Sequence, residues 1–249
     1  MPGAEFVVGD VCDPATLPHA VAGAGVVIVA MHGMDPNAGE SPASVDRDGS
    51  RALFAAARSE GAEIVLVSII GATTDHVIEL FRMKAAAEDT LRSGSPTDPP
   101  DWTIVRSAAF AEMWLDLFRS TAGTSGVPKV MGPGRNPISF VSVNDVAVAV
   151  AHAATDRSLR GRVIEIAGEN LSQTELAALV TAPGKHPAHI PTGAVWAVGT
   201  LLRPLRPGLA RVARQTLAME HVLMQADPQP AHETYPWLPH TPIAQRTHS

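Results

Sequence analysis

Three short, uninterrupted apolar runs set the first constraint on this chain: Val26-Val27-Ile28-Val29-Ala30, Ile64-Val65-Leu66-Val67 and Trp102-Thr103-Ile104-Val105. Each has strand length. None alternates apolar with polar residues, which is the pattern of a strand covered on both faces. Stretches of helical period separate them. Residues 44–60 place Val45, Leu53, Ala56 and Ala57 near helical spacing and stop at Gly61, and residues 76–92 form a second such stretch. Further strands are predicted at 5–8, 139–143 and 163–167, and a short helix at 14–22. Asn144 or Asp145 is the expected cap of an Ala/Val-rich helix running to about 154, and Ser172 with Glu175 forms a capping box. This alternation, from residue 4 to about 182, predicts an α/β domain with a doubly wound, mainly parallel sheet.

The character changes after Pro183. Residues 183–249 are rich in proline and arginine and hold one strong helical pattern (Leu209, Val212, Ala213, Leu217, Leu223, Met224). They read as a smaller helical substrate or lid region after a 1–182 domain, with a frayed tail beyond about Asp227. Residues 31–43 and 93–100 read as loops. The net charge of −6, without any Lys/Arg-rich run, argues against a nucleic-acid partner. The single cysteine, Cys12, excludes an intramolecular disulfide and suits a reducing cytoplasm, with a small core-lining residue as its plain role. No basic and apolar leader is visible. The apolar stretch Gly193–Leu202 is too short to span a bilayer, so a cytoplasmic protein with no membrane partner is expected.

In open parallel sheets, ligands bind beyond the carboxyl ends of the strands. The residues there are Gly9-Asp10, Ala30-Met31-His32-Gly33, Ser68-Ile69-Ile70-Gly71 and Arg106-Ser107-Ala108-Ala109-Phe110. Any one set could be an ordinary turn; together they predict a ligand rim whose small residues admit a flat molecule to the backbone. Lys84 is the sharpest single residue. It shares a helix face with Val77, Leu80, Phe81, Glu88 and Leu91, so it either meets a polar ligand or snorkels to pair with Glu88. His32 is a candidate ligand contact or a plain loop histidine. No H-x-x-x-H or Cys/His spacing predicts a metal site. Met131-Gly132-Pro133-Gly134-Arg135 reads as a turn, and no G-x-S-x-G elbow marks a hydrolase.

Six stretches occur in an order that resembles a known family: "GDVCDPATL" (9–17), "VVIVAMHG" (26–33), "VDRDGSRALFAAARSEGAEIVLVSIIGA" (45–72), "FRMKAAAEDTLRSG" (81–94), "DWTIVRSAAF" (101–110) and "NPISFVSVNDVAVAVAHA" (136–153). Together they resemble the atypical short-chain dehydrogenase/reductase superfamily, in its NmrA-like, NAD(P)-binding branch. The resemblance runs from residue 3 to about 182. It implies a Rossmann-like sheet of order 3-2-1-4-5-6 and a nicotinamide dinucleotide, with NADP placed ahead of NAD. In that family a first strand, a G-x-x-G-x-x-G loop, a helix and a second strand hold the pyrophosphate. This sequence begins just before what looks like the third strand, and about 40–60 residues of family pattern, a βαβ unit, are not represented. Met1 is accordingly expected to be an internal or misassigned start. Strand 5–8 should then face a gap beside strand 26–30.

The resemblance also implies roles. Asp10 and Val11 would meet the adenine, and Ala30, Met31, His32 and Gly33 the adenosine ribose and phosphates. Ser68 would lie near the nicotinamide, Lys84 would bind its ribose, and Ser107, Ala108, Ala109 and Phe110 would flank it. Ser68 and Lys84 are the catalytic candidates. Typical members carry Y-x-x-x-K, but here Leu80 precedes Lys84 by four residues, and the one tyrosine is Tyr235. The usual proton donor for carbonyl reduction is therefore missing. Three readings follow: an oxidoreductase moving hydride between the cofactor and a small apolar substrate, a non-catalytic redox sensor, or a fragment without a nucleotide site. Cofactor affinity should be poor without the pyrophosphate loop. A homodimer is compatible with the sequence.

Overall fold

The computed structural model describes residues 4–35, 37, 39–95 and 100–246. Positions 36 and 38 of the first predicted loop, 96–99 of the second, and residue 3 lie outside the described residues. A 3-10 turn at Pro14–Thr16 leads into α1 (Leu17–Val21), β1 (Val26–Val29), π-helical turns over Ala43–Gly49 that run into α2 (Ser50–Ser59), β2 (Glu63–Ile69) and α3 (Glu79–Ser93). Then come β3 (Trp102–Ser107), β4 (Ala109–Phe110), α4 (Ala111–Ala122), β5 (Lys129–Met131), β6 (Pro137–Val141), α5 (Val143–Thr155), β7 (Val163–Ile166), β8 (Glu169–Ser172) and α6 (Gln173–Ala178). The C-terminal part adds β9 (Ala188–Ile190), α7 (Thr192–Leu201), α8 (Pro207–Met219) and α9 (Gln229–Thr234).

The apolar runs form a parallel sheet of order β1-β2-β3-β7, with Val29 opposite Leu66, Leu66 opposite Ile104 and Val105 opposite Ile164. Ile64, Leu66 and Ile104 pack with Phe54 and Ala57 of α2 and Ala87 and Leu91 of α3. On the opposite face Val65, Val105 and Ile164 meet Val146, Ala149 and Ala153 of α5. Helices on both faces explain why these strands carry no polar alternation. A third core joins Phe81, Leu115, Phe118, Val130, Phe140 and Leu176 to Met219 and Ile243. A small mixed sheet of order β4-β6-β8 and a β5-β9 pair lie in that lobe. Gly168 is fixed by close approach: a Cβ there would stand 1.9 Å from the Phe140 carbonyl oxygen.

Five expectations fail. Residues 5–8 form no strand; Phe6 and Val8 are almost wholly exposed, because among the described residues β1 is paired on one side only and nothing offers 5–8 a ladder. Cys12 is exposed rather than core-lining. The cap of α5 is Ser142, which accepts from the Asn144 amide, not Asn144 or Asp145. Residues 228–246, the described part of the tail, are not frayed. Leu238 and Ile243 are buried, Trp237 stacks on His152 with centroids 4.1 Å apart, and Asp145 accepts from the Thr241 amide and hydroxyl at 2.8 and 2.7 Å. The predicted helix 76–92 starts at Glu79, since His76 turns back to accept from the Ile78 amide and stacks on Phe81. None of the described helices is long and apolar enough to cross a membrane.

Candidate functional site

The strand ends of β1, β2 and β3 bring Ala30–Gly33, Ile70-Gly71 and Ser107–Phe110 to one rim. Beneath it lies Lys84, 6 % exposed. Its helix presents Phe81, Lys84, Ala85, Ala87, Glu88 and Leu91 inward, so the ammonium cannot reach bulk water and must be satisfied within the fold. Nζ donates to the carbonyls of Met31 (2.7 Å) and Val67 (3.1 Å), just past the last registered β1–β2 pair. It stands 3.0 Å from Oδ1 of Asp46. Asp46 is wholly buried; its Oδ2 accepts from the Gly33 amide at 2.9 Å, while Oδ1 has the ion pair but no hydrogen bond. Gly33 can be nothing larger, because a Cβ would meet the Ser41 carbonyl oxygen at 2.3 Å. The ion pair therefore ties α3, the π-helical turns and the loop after β1 into one block.

Glu88 is not the partner of Lys84. It centres a second buried cluster on the α3 side of the sheet. Ser68 Oγ donates to Glu88 Oε1 at 2.6 Å, Arg106 grips both carboxylate oxygens at 2.9 and 2.7 Å, and Arg92 donates to Oε2 at 2.8 Å. Ser68, Arg106 and Glu165 are neighbours across three strands, and Arg106 also reaches Glu165 at 3.0 Å. Burial works to raise the Glu88 carboxyl, but the Arg106 and Ser68 hydrogen bonds and the two guanidinium charges outweigh it and hold it below its ordinary value. The Glu88 hydrogen bond pushes Arg106 up in turn.

The remaining predicted residues are placed as follows. Asp10 is exposed; its carboxylate caps the Cys12 amide and its own amide donates to Thr16. Val11 lies against the α-carbon of Gly49, where a Cβ would meet it at 3.1 Å. Ala30 and His32 are exposed, Met31 is half-buried and Gly33 buried. Ser107 donates to the Ser68 carbonyl at 3.4 Å, Ala108 is buried, and Ala109 and Phe110 are half-buried and form β4. The fold thus gathers Ala30–Gly33, Lys84 and Ser107–Phe110. The hydroxyl of Ser68 belongs to the Glu88 cluster. Sequence reasoning missed Asp46. The signal was present, since Asp46, Ser50, Phe54 and Ala57 recur at helical spacing and all four are buried. The turn 132–135 borders a separate cleft of about 760 Å3, lined by Arg135, Glu175, His189 and Thr192 and by none of the rim residues. Among the described residues no group of three or more His, Cys, Asp or Glu could hold a metal.

A parallel sheet with helices on both faces, and a small-residue rim at its carboxyl ends, defines a Rossmann-type nucleotide-binding domain. Residues 1–157 match the family described as NAD(P)H-binding, and the chain belongs to that family. It is 30% identical over 147 residues to a ceramide reductase of Caulobacter vibrioides; the match covers 57% of this chain but 44% of that relative, less than half its length. Three solved structures share the fold. A nucleoside-diphosphate-sugar epimerase from Staphylococcus aureus superimposes with a TM-score of 0.73 at 16% identity, over 96% of this chain and 82% of that one. Triphenylmethane reductase of a Citrobacter species, complexed with NADP(H), gives 0.71 at 18%, over 99% and 83%. An NADPH-dependent quinone oxidoreductase from Escherichia coli, complexed with NADPH, gives 0.66 at 20%, over 99% and 83%. At these identities the three structures show a shared fold with this NAD(P)H-binding chain.

Proposed function

We propose that this chain is the dinucleotide-binding part of an atypical short-chain reductase that takes NADP in preference to NAD and acts on a small apolar substrate. The observation that carries the reading is Lys84, buried beneath the strand-end rim and held by Asp46. The three donors of Lys84 go to the Met31 and Val67 carbonyls and to Asp46, which is wholly buried, so a ligand at the rim meets Lys84 only in exchange for one of these contacts. By that exchange Lys84 would hold the nicotinamide ribose. Ala30, Met31, His32 and Gly33 would line the adenosine ribose and phosphates, Asp10 and Val11 the adenine. Ala108, Ala109 and Phe110 would flank the nicotinamide. The described residues supply no glycine-rich cradle for the pyrophosphate, so the adenosine half is poorly served.

When bound, the nicotinamide supplies the hydride. The protein's part is to hold the ring and exclude water. Lys84 positions the ribose, and Ser68 supports the rim from below, since its hydroxyl proton goes to Glu88. Leu80 stands where typical members carry tyrosine, and Tyr235 packs beside Trp237, centroids 5.6 Å apart, in the tail. With Leu80 at that position the usual proton donor for carbonyl reduction is missing, which favours acceptors such as quinones and enones. The ceramide reductase relative supports an apolar substrate, with residues 183–249 covering it. The missing tyrosine also favours a second reading, a cytoplasmic redox sensor that binds dinucleotide without turnover. NADPH consumption is the test, over a panel of quinones, enones and long-chain ketones. Turnover of any acceptor supports the reductase. Tight binding of both cofactor forms with silence across the panel supports the sensor.

A further inference from the structure

Charge is segregated along this chain. Residues 176–219 hold Lys185, Arg203, Arg206, Arg211 and Arg214 and not one Asp or Glu, in a chain whose net charge is −6. Half of that stretch folds into an α7–α8 helical hairpin joined by a turn at 202–206. Of the ten residues of α7 only Val195 and Gly199 are buried. Apart from Thr192 and Thr200 the helix carries no polar side chain, yet Trp196 stands 59% exposed, and the apex carries Leu201 and Leu205 at 67% and 79%. Arg203 and Arg206 alternate with these leucines and are exposed too. Pro204 and Pro207 stiffen the turn.

An apolar helix that buries two residues gains little from its own fold. Exposed leucines at a convex apex, an exposed tryptophan one turn away and guanidiniums without carboxylates are what a bilayer interface takes up: apolar groups enter the acyl boundary, and arginines meet phosphates while their stems stay apolar. We propose that the α7–α8 apex is an interfacial anchor for a lipid surface bearing anionic headgroups. Charge complementarity selects that occupant. An anionic surface attracts the hairpin and repels the rest of an acidic chain, so it also fixes orientation. None of the described helices is long and apolar enough to span a bilayer, and an anchor lying in the interface needs no span. Arg211 of α8 binds Glu79 at 3.3 Å and the Glu40 carbonyl at 3.1 Å, so the anchored hairpin lies against the loop after β1 and the start of α3.

The test is flotation of the full chain with vesicles of phosphatidylcholine alone and of phosphatidylcholine mixed with phosphatidylglycerol, read with tryptophan fluorescence. The chain is expected to float with the anionic vesicles at low salt and to be released by high salt. Arg203→Gln/Arg206→Gln should weaken partitioning roughly 30-fold, at about fivefold per arginine. Leu201→Gln/Leu205→Gln should abolish it, and Trp196→Phe should remove the blue shift while leaving flotation. All these positions are exposed, and an unchanged melting temperature verifies the fold of each variant. Absence from the anionic fraction at low salt overturns the proposal. So does flotation that both double variants leave unchanged, or apex-dependent self-association without flotation, which would assign the hairpin to a second copy of the chain.

Discussion

Lys84→Met tests whether the Asp46 ion pair holds the rim together. The lysine side chain is 7% exposed and the aspartate not at all, so solvent screens neither. Methionine keeps the volume and removes the charge. Asp46 is then a buried carboxylate with one remaining donor, the Gly33 amide. Stranding one member of a buried pair costs about 3–5 kcal/mol. The Met31 and Val67 carbonyls also lose their lysine donor, and a hydrogen bond is worth about 1 kcal/mol. The sum is about 5–7 kcal/mol, and at 2–4 °C per kcal/mol for a chain of this size, a fall in Tm of roughly 10–28 °C. Lys84→Met/Asp46→Asn removes the stranded charge while Asn Oδ1 can still accept from Gly33. The double variant should therefore be about 2–3 kcal/mol more stable than Lys84→Met alone. Urea and thermal unfolding of the four proteins complete the cycle. A single variant that loses less than about 1 kcal/mol, or a double variant no more stable than the single, refutes the reasoning.

Other perturbations follow from the same contacts. Because the Glu88 carboxyl is held below its ordinary value, its stabilising contribution is present above the unfolded-state value of about 4.3 and is lost as pH falls through the folded-state value. Glu88→Gln should therefore be less stable at pH 7 and show a shallower loss of stability below about pH 4, in acid titrations followed by circular dichroism. Gly33→Ala forces a methyl against the Ser41 carbonyl and should cost about 1–3 kcal/mol, with faster proteolysis in the loop 31–43. Asp145→Ala removes both contacts to Thr241 and should release the tail, seen as early cleavage after Trp237 in limited chymotryptic digestion with mass mapping. Cys12 should react with one equivalent of a thiol reagent in the folded state, more slowly than free cysteine, since partial burial and then Asp10 push its thiol up.

The parallel sheet was legible because a strand covered on both faces must be apolar at every position, and 26–30, 64–67 and 102–105 announce this without help from the rest of the chain. Strand 5–8 looks the same in sequence. It fails because a strand is defined by its neighbour, and Phe6 and Val8 have none among the described residues. The tail misled for the converse reason: Leu238 and Ile243 are buried by cores formed mainly by residues 65–180, and Thr241 is held by a side chain 96 positions away. Of the site, helical spacing fixed Lys84 as inward but not its partner. Glu88, one turn on, is taken by Arg106 from β3, whose registry with Ser68 only the folded sheet discloses.

Calorimetric titration of NADPH, then NADH, into the 249-residue chain tests the central claim most directly. Ala30→Glu is the control, placing a negative charge at an exposed rim position. Saturable binding is expected, tighter for NADPH but weak, with a Kd on the order of 1 mM or about 4 kcal/mol, and lost in Ala30→Glu. Absence of any saturable heat, or binding that Ala30→Glu leaves unchanged, contradicts the placement of the cofactor on this rim. A micromolar Kd would instead show that the phosphates are held by residues outside the assigned set.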